Sequence, residues 1–440
     1  MNAIGASILT AVALVVLFGS RRWAIIALMV GVVYVPQSQH IEVMNFNMFS
    51  VRFLELAGFI RVLSRGEYSF SKLNKIDRAL LLLYAFTAIV FSLRSSEGQA
   101  FVIGTAVDAW LCYFTFRGLV VDMEDFRWFL QAFVFLLAPY AVLLVIETLT
   151  RYNVFSLLGG GMYEWEREGR FRCVGSFRNP DLLGTLGASF LPLYIGLACG
   201  KTGRIRACIA AGVCLVIVWS SNSGGPACAA AVGLVGWMCW KIRTNMRLVR
   251  WGIVGTILLA ALLMKAPVWY LLARISDITG GDGYHRAYLI DVSFRHLGQW
   301  WFDGIPMSDT MDWFPYSLMT GADITNQFIS FGLNAGIGAV GLLILLLVLA
   351  YSALGRALES VRSHFPESSD SEYLLWGLGV MLAVHIINWF GITYFDQFYV
   401  IWFMQLAIIS CVTENAGETG PALEVDEAGA WPEHEEALRT

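Results

Sequence analysis

The chain has 440 residues, of which 57% are hydrophobic and only 15% charged, with a mean hydropathy of +0.62. That balance excludes an ordinary soluble domain and predicts an all-α, polytopic α-helical membrane protein with short connections. The net charge of −4 hides an asymmetry, because residues 414–440 carry eight acidic residues and one basic one, leaving the rest slightly basic.

Apolar runs of about 17–23 residues recur, long enough for helices to cross a hydrocarbon core roughly 30 Å thick. The alternating strands of a transmembrane barrel are not seen. About 12–13 transmembrane helices are predicted, near residues 3–19, 23–37, 49–63, 79–94, 101–118, 128–149, 182–199, 206–221, 226–241, 249–266, 327–355, 373–391 and 396–412. The first lacks a basic n-region and a cleavage site, so it reads as a retained span. The third carries Arg52 and Glu55 and is expected to lie partly in the interface. Residues 1–413 then form one membrane domain, and 414–440 a disordered acidic tail. Most of the eight cysteines fall in apolar spans and Cys173 is the clear extramembrane one, so no disulfide framework is expected.

Lysines and arginines cluster in alternate connections: Arg21 and Arg22, the group from Arg61 to Arg78, Arg117 and Arg127, Lys201 to Arg206, Lys241 to Arg250, and Arg356 with Arg362. One topology puts all of these in the cytoplasm, with the tail inside and the connections 150–181 and 267–326 outside. The stretch "REGRFRCVGSFRNPDLLG" is then anomalous. Arg151, Arg167, Arg170, Arg172 and Arg178 share one outer loop, and Arg274, Arg286 and Arg295 share the other.

Within the first outer loop, Asn179-Pro180-Asp181 has the residues of a helix N-terminus, so a helix starts at the outer surface with its amides facing out. Simple capping by Asn179 and an anion site beside arginines are both open. Arginine suits phosphate because its planar fork donates paired hydrogen bonds and stays charged. Attraction to anionic headgroups, about 1 kcal/mol per residue, is the competing explanation.

In the second loop "WYLLARI" and "YLIDVSFRHLGQWWF" read as short amphipathic helices, with His285 beside Arg286. Trp300, Trp301 and Phe302 could pave a sugar-binding surface, although interface anchoring explains them equally simply. Asp323, Thr325, Asn326 and Gln327 open the eleventh span as proton acceptors or sugar contacts, with capping of the helix by Asp323 or Thr325 the competing reading. The turn "SSNSGGP" at 220–226 permits close backbone approach or is a plain tight turn. Asp108, Glu147 and His385 cost about 2–3 kcal/mol each inside a bilayer and are expected to face the bundle interior. No P-loop, GxGxxG or HExxH signature occurs, and no outer Asp-x-Asp pair for a divalent metal, so no cofactor is expected and a donor must bring its own activation.

Taken together, "RCVGSFRNPDLLGTLGASFLPL", the Ser-rich turn two spans later, the Arg-led helix of the long outer loop and the polar-Asn start of the next span resemble the O-antigen ligase and polysaccharide polymerase superfamily of bacterial inner-membrane glycosyltransferases. The resemblance covers most of the chain. It implies a multi-pass protein of the bacterial inner membrane with its site facing the periplasm. The substrates implied are a polyprenyl-diphosphate-linked oligosaccharide donor and an acceptor within the lipid bilayer, with a chain-length regulator or export machinery as further partners and no nucleic acid. By the same resemblance Arg172 and Arg286 grip the donor diphosphate, with Arg178, Asn179, Ser223, Thr325 and Asn326 as substrate contacts.

Two departures stand out. Ser223-Gly224-Gly225 lacks the arginine that ligases often carry there, and Thr325-Asn326 replaces a His-Asn pair. The second removes the family's presumed base and leaves Asp323, ahead of His285, as the candidate. Both departures favour a polymerase over a ligase that transfers the glycan to lipid A core; a glycan or lipid transporter, the remaining alternative, would often show two-fold internal repeats, and the sequence shows no such symmetry. Glycosyl transfer is expected to be metal-independent, with arginines stabilising the leaving group.

Overall fold

The computed structural model describes residues 3–415, apart from 38–39, 44–45, 161–164, 168, 202, 280–281, 314–320 and 365–368. The acidic tail therefore lies almost wholly outside the described residues. The helices are α1 (Ala3–Phe18), α2 (Arg21–Tyr34), α3 (Ser50–Arg65), α4 (Lys75–Arg94), α5 (Gln99–Leu119), α6 (Met123–Thr150), α7 (Pro180–Cys199) and α8 (Arg204–Ser221). They continue with α9 (Gly224–Met238), α10 (Met246–Leu263), α11 (Leu271–Thr279), α12 (Gly283–Arg295), α13 (Leu297–Trp300), α14 (Gln327–His364), α15 (Asp370–Asn388) and α16 (Phe398–Asn415).

Each predicted span coincides with one of these helices, and the largest shift is the continuation of α14 to His364. Among the described residues, eight segments are long and apolar enough to cross a membrane, one of them the 40-residue run Gly224–Leu263 that contains α9 and α10; α1 and α16 are apolar but shorter. The protein is an all-α, polytopic membrane protein. Two small antiparallel hairpins interrupt the helices, β1 (His40–Val43) with β2 (Phe46–Phe49) and β3 (Trp165–Arg167) with β4 (Arg170–Arg172).

At the centre stands α7, buried along nearly its whole length between α8, α9 and α15. Its small residues set the spacing: a Cβ on Gly187 would stand 2.4 Å from the carbonyl oxygen of Cys214. Without a hydrophobic drive between helices in lipid, such close backbone contact is what holds them together. By contrast α10 has no buried residue, as a helix surrounded by lipid would.

Helix α3 packs on α1 and α5 and is not among the helices long and apolar enough to cross a membrane; Arg52, Glu55 and Arg61 turn inward while Arg65 is exposed. Arg52 binds Asp108 through Nε and Nη2 at 2.7–3.1 Å. Arg61 binds Glu67 and the carbonyls of Val16 and Gly19. Buried ions are tolerated where partners fill their hydrogen-bonding capacity, and a sequence does not display those partners. Asp108 is thus a structural partner, as is His385, whose ring lies between the Tyr394 hydroxyl and the Gln405 side chain.

A second, smaller core forms in the long connection between α10 and α14, around Leu289, Val292, Trp300, Trp313 and Ile329. Trp300 donates its indole N–H to the Ser293 carbonyl and is a core residue, whereas Trp301 and Phe302 are exposed. This packed connection sits on a break in α14 at Ala335–Gly336. The amide of Ile305 donates to the Leu333 carbonyl, the amide of Ile337 to the Trp301 carbonyl, and Arg94 Nη1 to the carbonyls of Asp303 and Leu333. Gly336 has φ +74°, and a Cβ there would fall 2.1 Å from the Phe302 carbonyl oxygen, so only glycine fits.

Candidate functional site

The ends of α6, α8 and α15 meet the starts of α7, α9, α14 and α16 at one end of the bundle, called here the loop end. Chain geometry fixes the approach to α7. Glu147, near the end of α6, accepts the amides of Val174 and Gly175 at 3.0 and 3.1 Å. The Cys173 amide donates to the Ser220 carbonyl at the end of α8. Gly175 has φ +58°, and a Cβ would stand 2.5 Å from the Tyr140 hydroxyl, so the turn closes only with glycine. These contacts hold Arg172, the last residue of β4, against the first turn of α7.

Asn179 caps α7 by accepting the Asp181 amide at 2.7 Å, which orients the Asp181 carboxylate. Arg172 Nη2 reaches Asp181 Oδ2 at 3.3 Å and the Ser223 hydroxyl at 3.0 Å. Ser223 in turn donates to Asp181 Oδ1. Ser223 occupies the N-cap position of α9 yet gives that helix no side-chain cap, because its hydroxyl is engaged with Asp181. A local rule is broken at a place where charges are assembled.

Arg286 enters from the opposite side. Asp282 caps α12 through the His285 amide and binds Arg167 of the hairpin at 3.3 Å, tying the two loop regions together. Arg286 Nη2 then lies 3.8 Å from Asp181 Oδ1. A Cβ on Gly391 would sit 3.1 Å from Arg286 Cζ, so the guanidinium lies flat on bare backbone. The cluster of Arg172, Arg286 and Asp181 carries one net positive charge. It stands beside the N-termini of α7 and α9, both of which favour anions. Arg172 Nε is buried and has no partner among the described residues.

The remaining candidates fall around this cluster. His285 Nε2 and Asp323 Oδ2 are 4.0 Å apart, with the aspartate half exposed. Asn326 is buried, and its side-chain oxygen caps α14 through the amides of Phe328 and Ile329; the cap was expected from Asp323 or Thr325. The Thr325 hydroxyl is buried with no partner among the described residues. Arg178 is not in the cluster: it forms an ion pair with Asp396, Nε to Oδ2 at 2.9 Å.

Beyond that ion pair lies a cavity of about 310 Å³ between the loop-end halves of α3, α4, α5, α14 and α16. The segment from Asn388 to Asp396 separates it from the arginine cluster. On one side of this partition Asn388 donates to Thr185 of α7 at 2.7 Å and Gly391 carries Arg286. On the other, Trp389, Tyr394 and Asp396 line the cavity. Gln327 braces the partition, its amide donating to the Trp389 carbonyl and its side chain accepting the Tyr394 amide.

Asp181, Asn388, Gly391 and Asp396 are the residues that sequence reasoning missed as parts of the site. Asp181 read as a first-turn helix residue, and nothing local marks it as the meeting point of two distant arginines. Searches against protein-family models and curated proteins return no matching family model and no significant curated match.

Proposed function

We propose that this protein is a polysaccharide polymerase of the bacterial inner membrane. It joins polyprenyl-diphosphate-linked oligosaccharide repeat units at the periplasmic face. The observation that carries this reading is the convergence of Arg172 and Arg286, from separate loops, on the single carboxylate of Asp181 at the start of a membrane-buried helix.

In this mechanism Asp181 holds two like charges close together while no donor is bound. The diphosphate of the carrier lipid takes over donors from the two guanidinium groups, which neutralise its charge with fixed, partly buried dipoles and cations. An acceptor hydroxyl attacks the anomeric carbon of the donor sugar, and the bond from that carbon to the diphosphate oxygen breaks. The electron pair leaves on the diphosphate, where Arg172 and Arg286 stabilise it. The hydroxyl proton passes to Asp323, with His285 beside it. Rate support from such a base is typically about 10²–10⁴-fold, and less is needed where leaving-group departure dominates the barrier.

The test is the purified protein with a defined lipid-linked repeat unit. The expected product is a ladder of longer lipid-linked glycans with release of polyprenyl diphosphate. Transfer only to added lipid A core would make the protein a ligase, and no transfer to any acceptor would overturn the enzymatic reading.

A further inference from the structure

We propose that the cavity behind the 388–396 partition is a binding site for a neutral sugar ring, serving as the seat of the acceptor saccharide. Its role as acceptor seat rests on the polymerase reading; its affinity for a sugar does not.

The cavity differs from the arginine cluster in charge. Its two arginines, Arg52 and Arg178, are each matched by an aspartate, Asp108 and Asp396. A balanced wall has no preference for a diphosphate, whereas the cluster has a positive excess. What the wall does present is groups that fit hydroxyls. Gln37 is 2% exposed and lines the cavity. Its side-chain oxygen accepts the Val51 amide, which fixes the carboxamide orientation, because only the oxygen can accept. The Nε2 donor then has no partner among the described residues. A buried, unpaired donor costs free energy until something accepts from it.

Trp389, Trp402, Tyr84 and Phe331 add aromatic surface to the same walls, of the kind that packs against the C–H groups of a pyranose. At roughly 30 Å³ per water-sized group, the volume holds about ten such groups, comparable to one hexose. Ligand sites of this kind are mostly apolar with a few placed polar groups. The partition gives the site its place in the reaction: Gly391 carries Arg286 of the donor cluster and Asn388 binds Thr185, one turn beyond Asp181 on α7, while Trp389 and Tyr394 line the cavity. Asp396, at the end of the partition, holds a left-handed φ of +49°, a strained conformation of the kind found at functional sites.

The experiment uses the full-length protein in phospholipid nanodiscs, free of glycoside detergent, with two photoreactive probes. One is a diazirine-bearing hexyl glucoside, and the other a diazirine-bearing farnesyl diphosphate. The glucoside is expected to label peptides of α14 and α16 facing the cavity. Filling the cavity with Ser330→Phe should reduce that labelling about tenfold, and Gln37→Leu, which keeps the volume, about fivefold. Diphosphate labelling should survive both changes and fall with Arg172→Ala. The proposal is overturned if the isoprenoid diphosphate labels the cavity in competition with the glucoside, or if glucoside labelling ignores both variants. If glucoside labelling follows the cavity variants while diphosphate labelling ignores Arg172, the sugar site stands and the polymerase reading falls.

Discussion

Two aspartates in this molecule each gather an arginine and a hydroxyl, and they lead to opposite outcomes. At the end away from the loops, Asp77 accepts from the Tyr113 hydroxyl at 2.6 Å, the Tyr68 hydroxyl at 2.9 Å, Arg117 Nε at 3.1 Å and Ser410 at 3.2 Å. Arg117 continues to Glu414 at 2.6 Å, so α4, α5 and α16 are sewn together with every lone pair of the carboxylate in use. Side-chain exposure is 0% for Asp77 and 4% for Arg117. At the loop end, exposure is 15% for Asp181 and 17% for Arg286, and their separation is 3.8 Å. The first arrangement is saturated and structural. The second is left loose, with charge to spare, which is what a site for an incoming anion needs.

The contrast can be broken experimentally. On the polymerase reading, replacing Arg172 or Arg286 by lysine removes a planar fork from the proposed leaving-group site, and polymer formation should fall about 10²–10³-fold. Stability to thermal unfolding should change much less than activity, because lysine keeps a positive charge beside Asp181. In cells, such variants should accumulate lipid-linked repeat units on the periplasmic side. Asp77→Ala should do the reverse. It strands a buried arginine and should cost about 3–5 kcal/mol of stability, measured by thermal unfolding in detergent, with turnover per folded molecule unchanged. Equal losses of turnover in both sets would erase the distinction.

Asp181→Asn sharpens it further. The amide keeps the shape but loosens the hold on two guanidinium groups, so kcat should drop about tenfold from misplacement, while the donor KM does not rise, because a competing charge has gone. A raised KM would instead make Asp181 a direct substrate contact. The smallest effect concerns Cys173, which is packed against Thr148 and the Leu144 carbonyl. Burial, reinforced by Glu147, pushes its thiol up to about 12. It should remain protonated at pH 8 and resist maleimide until the protein unfolds, as peptide mass mapping would show.

Helices were readable because a bilayer demands long apolar runs. The outer-loop arginines stood out as basic residues on the unexpected side, and it was the family resemblance that singled out Arg172, Arg286 and Ser223 among the candidates. Asp181 was not, since its role depends on residues brought in from β4, α9 and α12. The same applies to Arg52: beside Glu55 it looked like an interfacial charge, and only the fold reveals Asp108 opposite. Asn179 carried a local signal that was correct as helix chemistry and spends its side-chain oxygen there, whereas at α14 the cap fell to Asn326 and not to Asp323 or Thr325. The short hairpins gave no signal, because three or four residues per strand are too few for an alternation to register.

The break in α14 has a mechanical corollary. Residues 327–334 are clipped to the surface connection rather than continuous with the shaft below, and Arg94 wedges the joint from a neighbouring helix. The uninterrupted helix of α14 therefore starts at Gly336, and the turns from Gln327 to Asn334 that follow the perch of Asp323 take their position from the surface connection and from Trp389 as much as from that shaft.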